Sequence, residues 1–267
     1  MRPIKELCNS ILAKIDTVLV DIDGTLTCHG RVPAVAYAAL EKLQSVGLKV
    51  VPITGRPAGW CDQIARMWPV DGIVGENGAF YFHYDTERHR MLRHYQASSA
   101  VRRKNRDRLL VLADEILTAV PGAAIAADQA YRETDLAIDF CEDVPPLPMD
   151  QVQRIGELFA GAGARAKISS IHVNGWFGEY DKLAMTKVLF REVFDLELDD
   201  TREQTIFVGD SPNDEPMFAY FPHAVGVANI VRFADQLAAR PAWITGQEGG
   251  FGFAELVEAI VEAKAKD

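Results

Sequence analysis

The sequence predicts a doubly wound, mostly parallel α/β sheet of the Rossmann-like kind, interrupted by an inserted α+β domain. Three observations lead there. Val18-Leu19-Val20 is a short apolar run without polar alternation, which suits a strand covered on both faces. Such runs alternate with helical patterns, as strand, helix, strand, helix, strand over 17–74 and again beyond 181. Between them the texture changes to strand pairs with two longer helices.

In order, residues 4–14 suit a short helix and 17–22 the first strand. Val32 to Val46 carries Ala, Leu and Val at helical spacing, and Gly47 is a fitting stop. Leu48 to Ile53 is the second apolar run. Pro57 suits the first turn of a helix reaching Met67, and 71–74 is a third strand. Residues 79–84 and 91–96 read as a strand pair, 98–119 as a long helix, 123–131 and 136–141 as another pair. Helix 151–160 and strand 167–173 follow, with a turn at Asn174-Gly175. The α/β pattern resumes with helix 181–193, strand 205–208, helix 215–220, strand 224–227, helix 231–239, strand 242–245 and helix 255–263. The expected division is a discontinuous core of residues 1–79 and 179–267, with an α+β unit over 80–178. Its sheet is expected to be antiparallel, with helices on one face.

The 267 residues are 48% hydrophobic and 25% charged, an ordinary globular composition, and the formal net charge is -10. Acidity of that size argues against a nucleic-acid partner, which needs a basic surface. It leaves room for a small anionic substrate, because a site can be locally positive. Cys8, Cys28, Cys61 and Cys141 are scattered without a Cys-x-x-Cys, so reduced thiols and a cytoplasmic location are expected. The first residues have no signal-peptide pattern, and no apolar run approaches a membrane span, so no membrane partner is expected.

The first strand ends in Asp21-Ile22-Asp23-Gly24-Thr25. Two acids two residues apart at a strand end can converge on one point, where crowded like charge calls for a cation. An acidic turn with Asp and Gly placed for backbone geometry is the alternative. A second cluster, Asp210 and Asp214, follows the β-rich Ile206-Phe207-Val208. Ligands of doubly wound sheets sit beyond the carboxyl ends of the strands, and two such ends can gather three or four acids into a hard-oxygen site for Mg2+. Thr54 follows the second apolar run, where a helix start offers an anion site; a helix cap also explains a threonine there. Lys182 opens the helix at which the chain returns to the core, a cation for surrounding carboxylates and phosphate, or a surface lysine.

The ordered set Asp21-Ile-Asp23-Gly-Thr-Leu-Thr, Ile53-Thr54-Gly55-Arg56, Lys182 and Gly209-Asp210-Ser-Pro-Asn213-Asp214 resembles the four motifs of haloacid dehalogenase-like phosphatases. The insertion lies where one subgroup carries an α/β cap. That subgroup includes the Cof-type sugar phosphatases, sucrose-phosphate phosphatase, mannosyl-3-phosphoglycerate phosphatase and phosphomannomutase. Leu183 stands after the lysine where many Cof-type members have Gly, so the resemblance is to the superfamily more than to that branch.

The resemblance implies Asp21 as nucleophile and Asp23 as acid and then base. It implies a Mg2+ held by Asp21, the Asp23 carbonyl, Asp210 and Asp214, and phosphate held by Thr54 and Lys182. Gly55, Arg56, Asn77 and Asn213 are implied beside the substrate, with His172 and Asn174 of the return segment. Alternatively, His172 is a polar strand position and Trp176 packs a hinge. The expected activity is hydrolysis of a small phosphorylated metabolite, a sugar phosphate or phosphoglycerate derivative, by a monomer or homodimer. The rivals are a phosphomutase and a sugar-phosphate-binding protein without turnover. The basic run Arg102 to Arg108 reads as a solvated helix face, or else as a contact for an anionic group.

Overall fold

The computed structural model describes residues 1–266. In chain order the strands and helices are β1 (Arg2–Pro3), α1 (Asn9–Leu12), β2 (Thr17–Val20), α2 (Ala34–Ser45), β3 (Lys49–Pro52), α3 (Ala58–Met67) and β4 (Ile73–Gly75). Then come β5 (Phe80–Asp85), β6 (Arg90–Tyr95), α4 (Ser99–Ala119), β7 (Ala124–Ile125), β8 (Leu136–Asp139), α5 (Met149–Gly161), β9 (Arg165–Ile168) and β10 (His172–Trp176). The chain closes with α6 (Lys182–Leu189), α7 (Leu198–Thr201), β11 (Thr205–Gly209), α8 (Glu215–Tyr220), β12 (Val225–Gly226), β13 (Trp243–Ile244) and α9 (Gly249–Lys264).

The central sheet has six parallel strands in the order β1-β13-β12-β11-β2-β3. All four residues of β2 are buried, as an apolar strand between two layers requires. Val18 and Val20 pack into one apolar cluster with α2 and α9, while Leu19 packs into another with α6 and α8. Alternate residues of one strand thus serve the two faces of the sheet.

The insertion contains the antiparallel sheet β7-β8-β10-β9. Leu136, Ile138 and Val173 pack on α4 and α5 in a separate apolar cluster. The intervening Ala137, Asp139, His172 and Asn174 belong to the opposite face by period 2, and His172 and Asn174 line the cleft above Asp21. Helices on one face and polar residues on the other turn this unit into a lid.

The boundary expected at residue 80 falls later in the packing. β5 pairs with β4 and β6 with β5, and Phe80 and Phe82 are buried in the core cluster, stacked at 4.5 Å. Aromatic burial ties this hairpin to the core, so the separate cluster begins only with α4. Three local expectations also change. The strand expected over 123–131 is only β7 followed by a single turn over Gln129–Tyr131. The helix expected over 231–239 is a short 3-10 segment, Ala228–Phe233. The strand expected over 167–173 is two strands, turning at 169–171. Asn174-Gly175 lies inside β10, because the Phe159 ring stands 2.1 Å from where a Cβ on Gly175 would be.

Candidate active site

Strands β11, β2 and β3 are neighbours, with Val20 in register with Val208 and Pro52. The residues that follow them therefore emerge side by side at one sheet edge. Asp21 continues the ladder, donating its N–H to Val208 O at 2.9 Å. Asp210 follows β11, and the turn Pro212–Asp214 brings Asp214 back beneath it. Asp214 Oδ2 accepts the N–H groups of Asp210 (3.1 Å) and Ser211 (3.4 Å), which leaves Oδ1 for another partner.

That partner is Lys182, the first residue of α6, whose Nζ lies 2.7 Å from both Asp21 Oδ1 and Asp214 Oδ1. Lys182 is 2% exposed. Burial opposes its charge, but Asp21 and Asp214 outweigh burial and hold the ammonium protonated above its ordinary range.

One oxygen from each of Asp21, Asp210 and Asp214 lies within 4.8 Å of the others. Three carboxylates face one ammonium, a surplus of negative charge in a buried place. Burial first, then Asp214 and Asp23, push Asp21 up to about 8 against the pull of Lys182. Burial, then Asp21 and Asp214, raise Asp210 well above the carboxylate range. A divalent cation fits this donor set of three converging hard oxygens, which would hold Mg2+ and offset the surplus charge. Gly24 makes the close approach possible. Its φ is +76°, and a Cβ there would stand 2.2 Å from Asp210 Oδ2.

Asp23 points away from this cluster. Arg56 grips its carboxylate with Nε at 3.0 and 2.9 Å and Nη2 at 2.8 Å. The same guanidinium reaches across to the lid, to Glu142 at 2.8 Å and Asp128 at 3.3 Å. Arg132 completes the junction from the lid side. It pairs with Asp128 (2.9 Å) and Asp135 (3.1 Å) and donates to Gly55 O at 2.9 Å. Glu76 ties the same parts together, accepting the N–H groups of Ala58 and Glu133 at 2.9 Å and Thr134 at 2.7 Å. Burial, with Asp135 nearby, pushes Glu76 up to about 7.

The other expected site residues divide. Thr54 is fully buried, and its Oγ accepts the Arg56 N–H at 3.0 Å. It does not cap α3, whose cap position is Pro57. Asn77 stands beside Gly55 in a left-handed conformation (φ 56°), and among the described residues both polar atoms of its buried side chain lack a partner. A strained, unsatisfied amide marks a place where a ligand group can bind. Asn213 accepts from Ser211 Oγ at 2.8 Å at the cleft floor. His172 Nε2 lies 2.9 Å from Glu142, and Asn174 donates to Asp135 at 2.9 Å. These two thus serve the lid's own polar network while lining the cleft.

Residues 169–171 close over Asp21, leaving a free volume of about 10 Å3. That is about the minimum for one water, so the lid must open to admit a phosphate ester.

Reasoning from the sequence missed Asp128, Arg132, Asp135 and Glu142, which lie in turns and at strand ends without a motif. It also missed Asn229, whose Nδ2 orients Asp210 Oδ2 at 2.8 Å and holds Gly24 O at 3.0 Å.

Residues 18–105 match the sequence model of the haloacid dehalogenase-like hydrolases. That span contains Asp21, Asp23 and Thr54, and the fold supplies Lys182, Asp210 and Asp214 around them. The chain is thus similar to the haloacid dehalogenase-like hydrolases, and it carries an inserted α+β unit. A phosphoglycolate phosphatase of Haloarcula marismortui is 28% identical over 241 residues, covering 90% of this chain and 95% of that protein. Another, of Methanoculleus marisnigri, is 33% identical over 69 residues, 25% of this chain and 30% of that one. Among solved structures, a Thermoplasma acidophilum protein superposes with a TM-score of 0.70 at 19% identity, covering 93% of this chain and 99% of that one. The sucrose-phosphatase of Synechocystis, solved with sucrose and phosphate, gives 0.62 at 16% identity over 91% and 97%. The chain therefore shares its fold with these solved structures along nearly its whole length.

Proposed function

We propose that this chain is a Mg2+-dependent phosphatase of a small phosphorylated metabolite. The reading rests on one observation above all, the Asp21 carboxylate held by Lys182 beside Asp210 and Asp214 on the floor of a capped cleft. The names of the relatives support phosphoglycolate as the first candidate substrate to test, beside phosphoglycerates and sugar phosphates.

In this reading Asp21 attacks phosphorus, the bond to the leaving oxygen breaks, and an aspartyl-phosphate forms on Asp21. Asp23 gives its proton to the leaving oxygen. It then takes a proton from the water that attacks the aspartyl-phosphate, releasing phosphate and restoring Asp21. Lys182 and Thr54 hold the phosphoryl oxygens, and the partnerless Asn77 amide faces the same group. A bound Mg2+, held by Asp21, Asp210 and Asp214, would neutralise charge on the phosphoryl oxygens. The cap excludes water during the first step.

The test is a phosphate-release screen with Mg2+ over phosphoglycolate, phosphoglycerates, sugar phosphates and nucleotides, scoring isomerised sugar phosphates in parallel. Free phosphate from a small ester, absent in Asp21→Asn, is expected. An isomerised product without free phosphate would make the chain a mutase instead.

A further inference from the structure

A cavity of about 470 Å3 lies where the core and the cap meet, and none of Asp21, Asp23, Thr54, Lys182, Asp210 and Asp214 lines it. Its charged lining is Arg93 and Asp62 from the core and Arg102, Arg103, Arg106 and Glu133 from the cap side. Four guanidinium groups against two carboxylates leave a positive surplus, in a chain whose formal net charge is -10. Arg132 also lines the cavity, but Asp128 and Asp135 already take its guanidinium.

The surplus can be located. Arg93 pairs with Asp62 at 2.5 Å and Arg102 with Glu133 at 3.2 Å. Arg106 donates to the backbone carbonyl of Arg132 at 2.7 Å, which fixes the group without neutralising it. Arg103 enters no ion pair among the described residues. Positions 102, 103 and 106 share one side of α4, and Arg102 is braced over the Tyr95 ring at 3.7 Å. Partly fixed guanidinium groups around this groove, with those of Arg103 and Arg106 uncompensated, suit two-pronged binding of phosphate oxygens.

We propose that this groove is a second anion site, which takes a small phosphate-bearing polyanion and, when filled, holds the cap against the core. Its walls belong to both units, so a bridging anion favours the arrangement that brings them together. The groove also touches the catalytic loop. Arg132, whose carbonyl fixes Arg106, reaches Gly55 O beside Thr54, and α3 starts directly after that loop. The closed cap leaves almost no room above Asp21. With substrate or product under the cap, the occupied groove therefore slows reopening and product release, lowering kcat instead of competing with substrate.

The experiment uses pyrophosphate as the probe at fixed free Mg2+, with the full chain and the best substrate of the screen. The wild type is compared with the double variant Arg103→Gln/Arg106→Gln, and with Arg103→Gln alone, whose side chain carries no internal ion pair. Pyrophosphate is expected to lower kcat of the wild type. The double variant should need about tenfold more for the same effect, with kcat and KM unchanged when pyrophosphate is absent. Calorimetric titration should find one binding event fewer in the double variant. Purely competitive inhibition, equal inhibition of all three proteins, or no binding by about 10 mM pyrophosphate would overturn the proposal. If the double variant loses basal activity, the single variant decides by the same criteria.

Discussion

Arg56 holds Asp23 by a two-pronged ion pair, Nε at 2.9 Å from one carboxylate oxygen and Nη2 at 2.8 Å from the other, while its own Nη2 also reaches Glu142 of the cap. One guanidinium thus joins the proposed proton-transfer acid to the lid. Asp23 can protonate a leaving group only when an oxygen is released from this grip, so cap position and proton transfer are mechanically linked. Arg56→Ala would leave Asp23 without its cation beside Asp128 and Glu142, which keep only Arg132 and His172 as partners. We expect a stability loss of about 3–5 kcal/mol, the cost of breaking a buried pair from one side. Arg56→Lys, which keeps charge but loses the fork, should recover part of the stability and little of the activity. Urea unfolding midpoints with phosphate-release assays check both.

Asp21 and Asp23 are two residues apart but occupy different surroundings, one on Lys182 and one on Arg56. Their Asn variants should fail differently. Asp21→Asn should lose more than about a thousandfold in kcat, since no nucleophile remains. Asp23→Asn should slow both chemical steps by about a hundredfold or more, with Mg2+ affinity nearly unchanged. Acid-quenched digests after mixing with substrate should carry phosphate on the Asp21 peptide in the wild type. An Asp21→Asn protein with near-normal turnover would remove the nucleophile assignment.

The buried acids give the cation a signature in stability. Burial and neighbouring carboxylates raise Asp21 from 3.8 to about 8 in the folded protein. A carboxyl group raised on folding contributes stability below its unfolded value and loses it as pH climbs through its folded value. Metal-free protein should therefore lose stability between about pH 4 and 8. Mg2+ needs the ionised carboxylates, so its stabilising effect should grow over the same window. Thermal unfolding with EDTA and with Mg2+ across this range measures both slopes. Asp210→Asn should flatten them together, and a Mg2+ effect independent of pH would count against the cluster as its site.

The parts of this site that were legible in the sequence share one physical reason. Asp21, Thr54 and Asp210 follow neighbouring strands of one parallel sheet, so strand order alone carries them to a common edge. The cap side had no such rule. Asp128, Arg132 and Glu142 meet Arg56 and Gly55 across more than seventy residues, from segments without periodicity. Asn174-Gly175 looks like a turn by local propensity, yet the Phe159 ring needs a side chain-free position in mid-strand, so packing won over propensity. The hairpin after β4 has the texture of the insertion, and only the burial of Phe80 and Phe82 joins it to the core.

Glu142 offers a test of the junction by pH. It lies between His172 (2.9 Å) and Arg56 (2.8 Å). The hydrogen bond with His172, and then Arg56, outweigh burial and lower its carboxyl from 4.5 to about 2. A carboxylate depressed on folding adds stability that is fully present above its unfolded value and lost as pH falls through its folded value. Glu142→Gln removes this contribution. The unfolding midpoint of the wild type should exceed that of the variant by a constant margin above about pH 5, and the margin should shrink steadily as pH falls toward 2. This side chain is 27% exposed, so salt should narrow the margin too. At neutral pH the variant frees one prong of Arg56 and loosens the cap. A higher KM with a smaller change in kcat is then expected, because the loss falls on cap closure and not on the groups around Asp21. A margin that widened on acidification would mean that Glu142 is protonated in the folded protein and that the Arg56 junction is held by Asp23 and Asp128 alone.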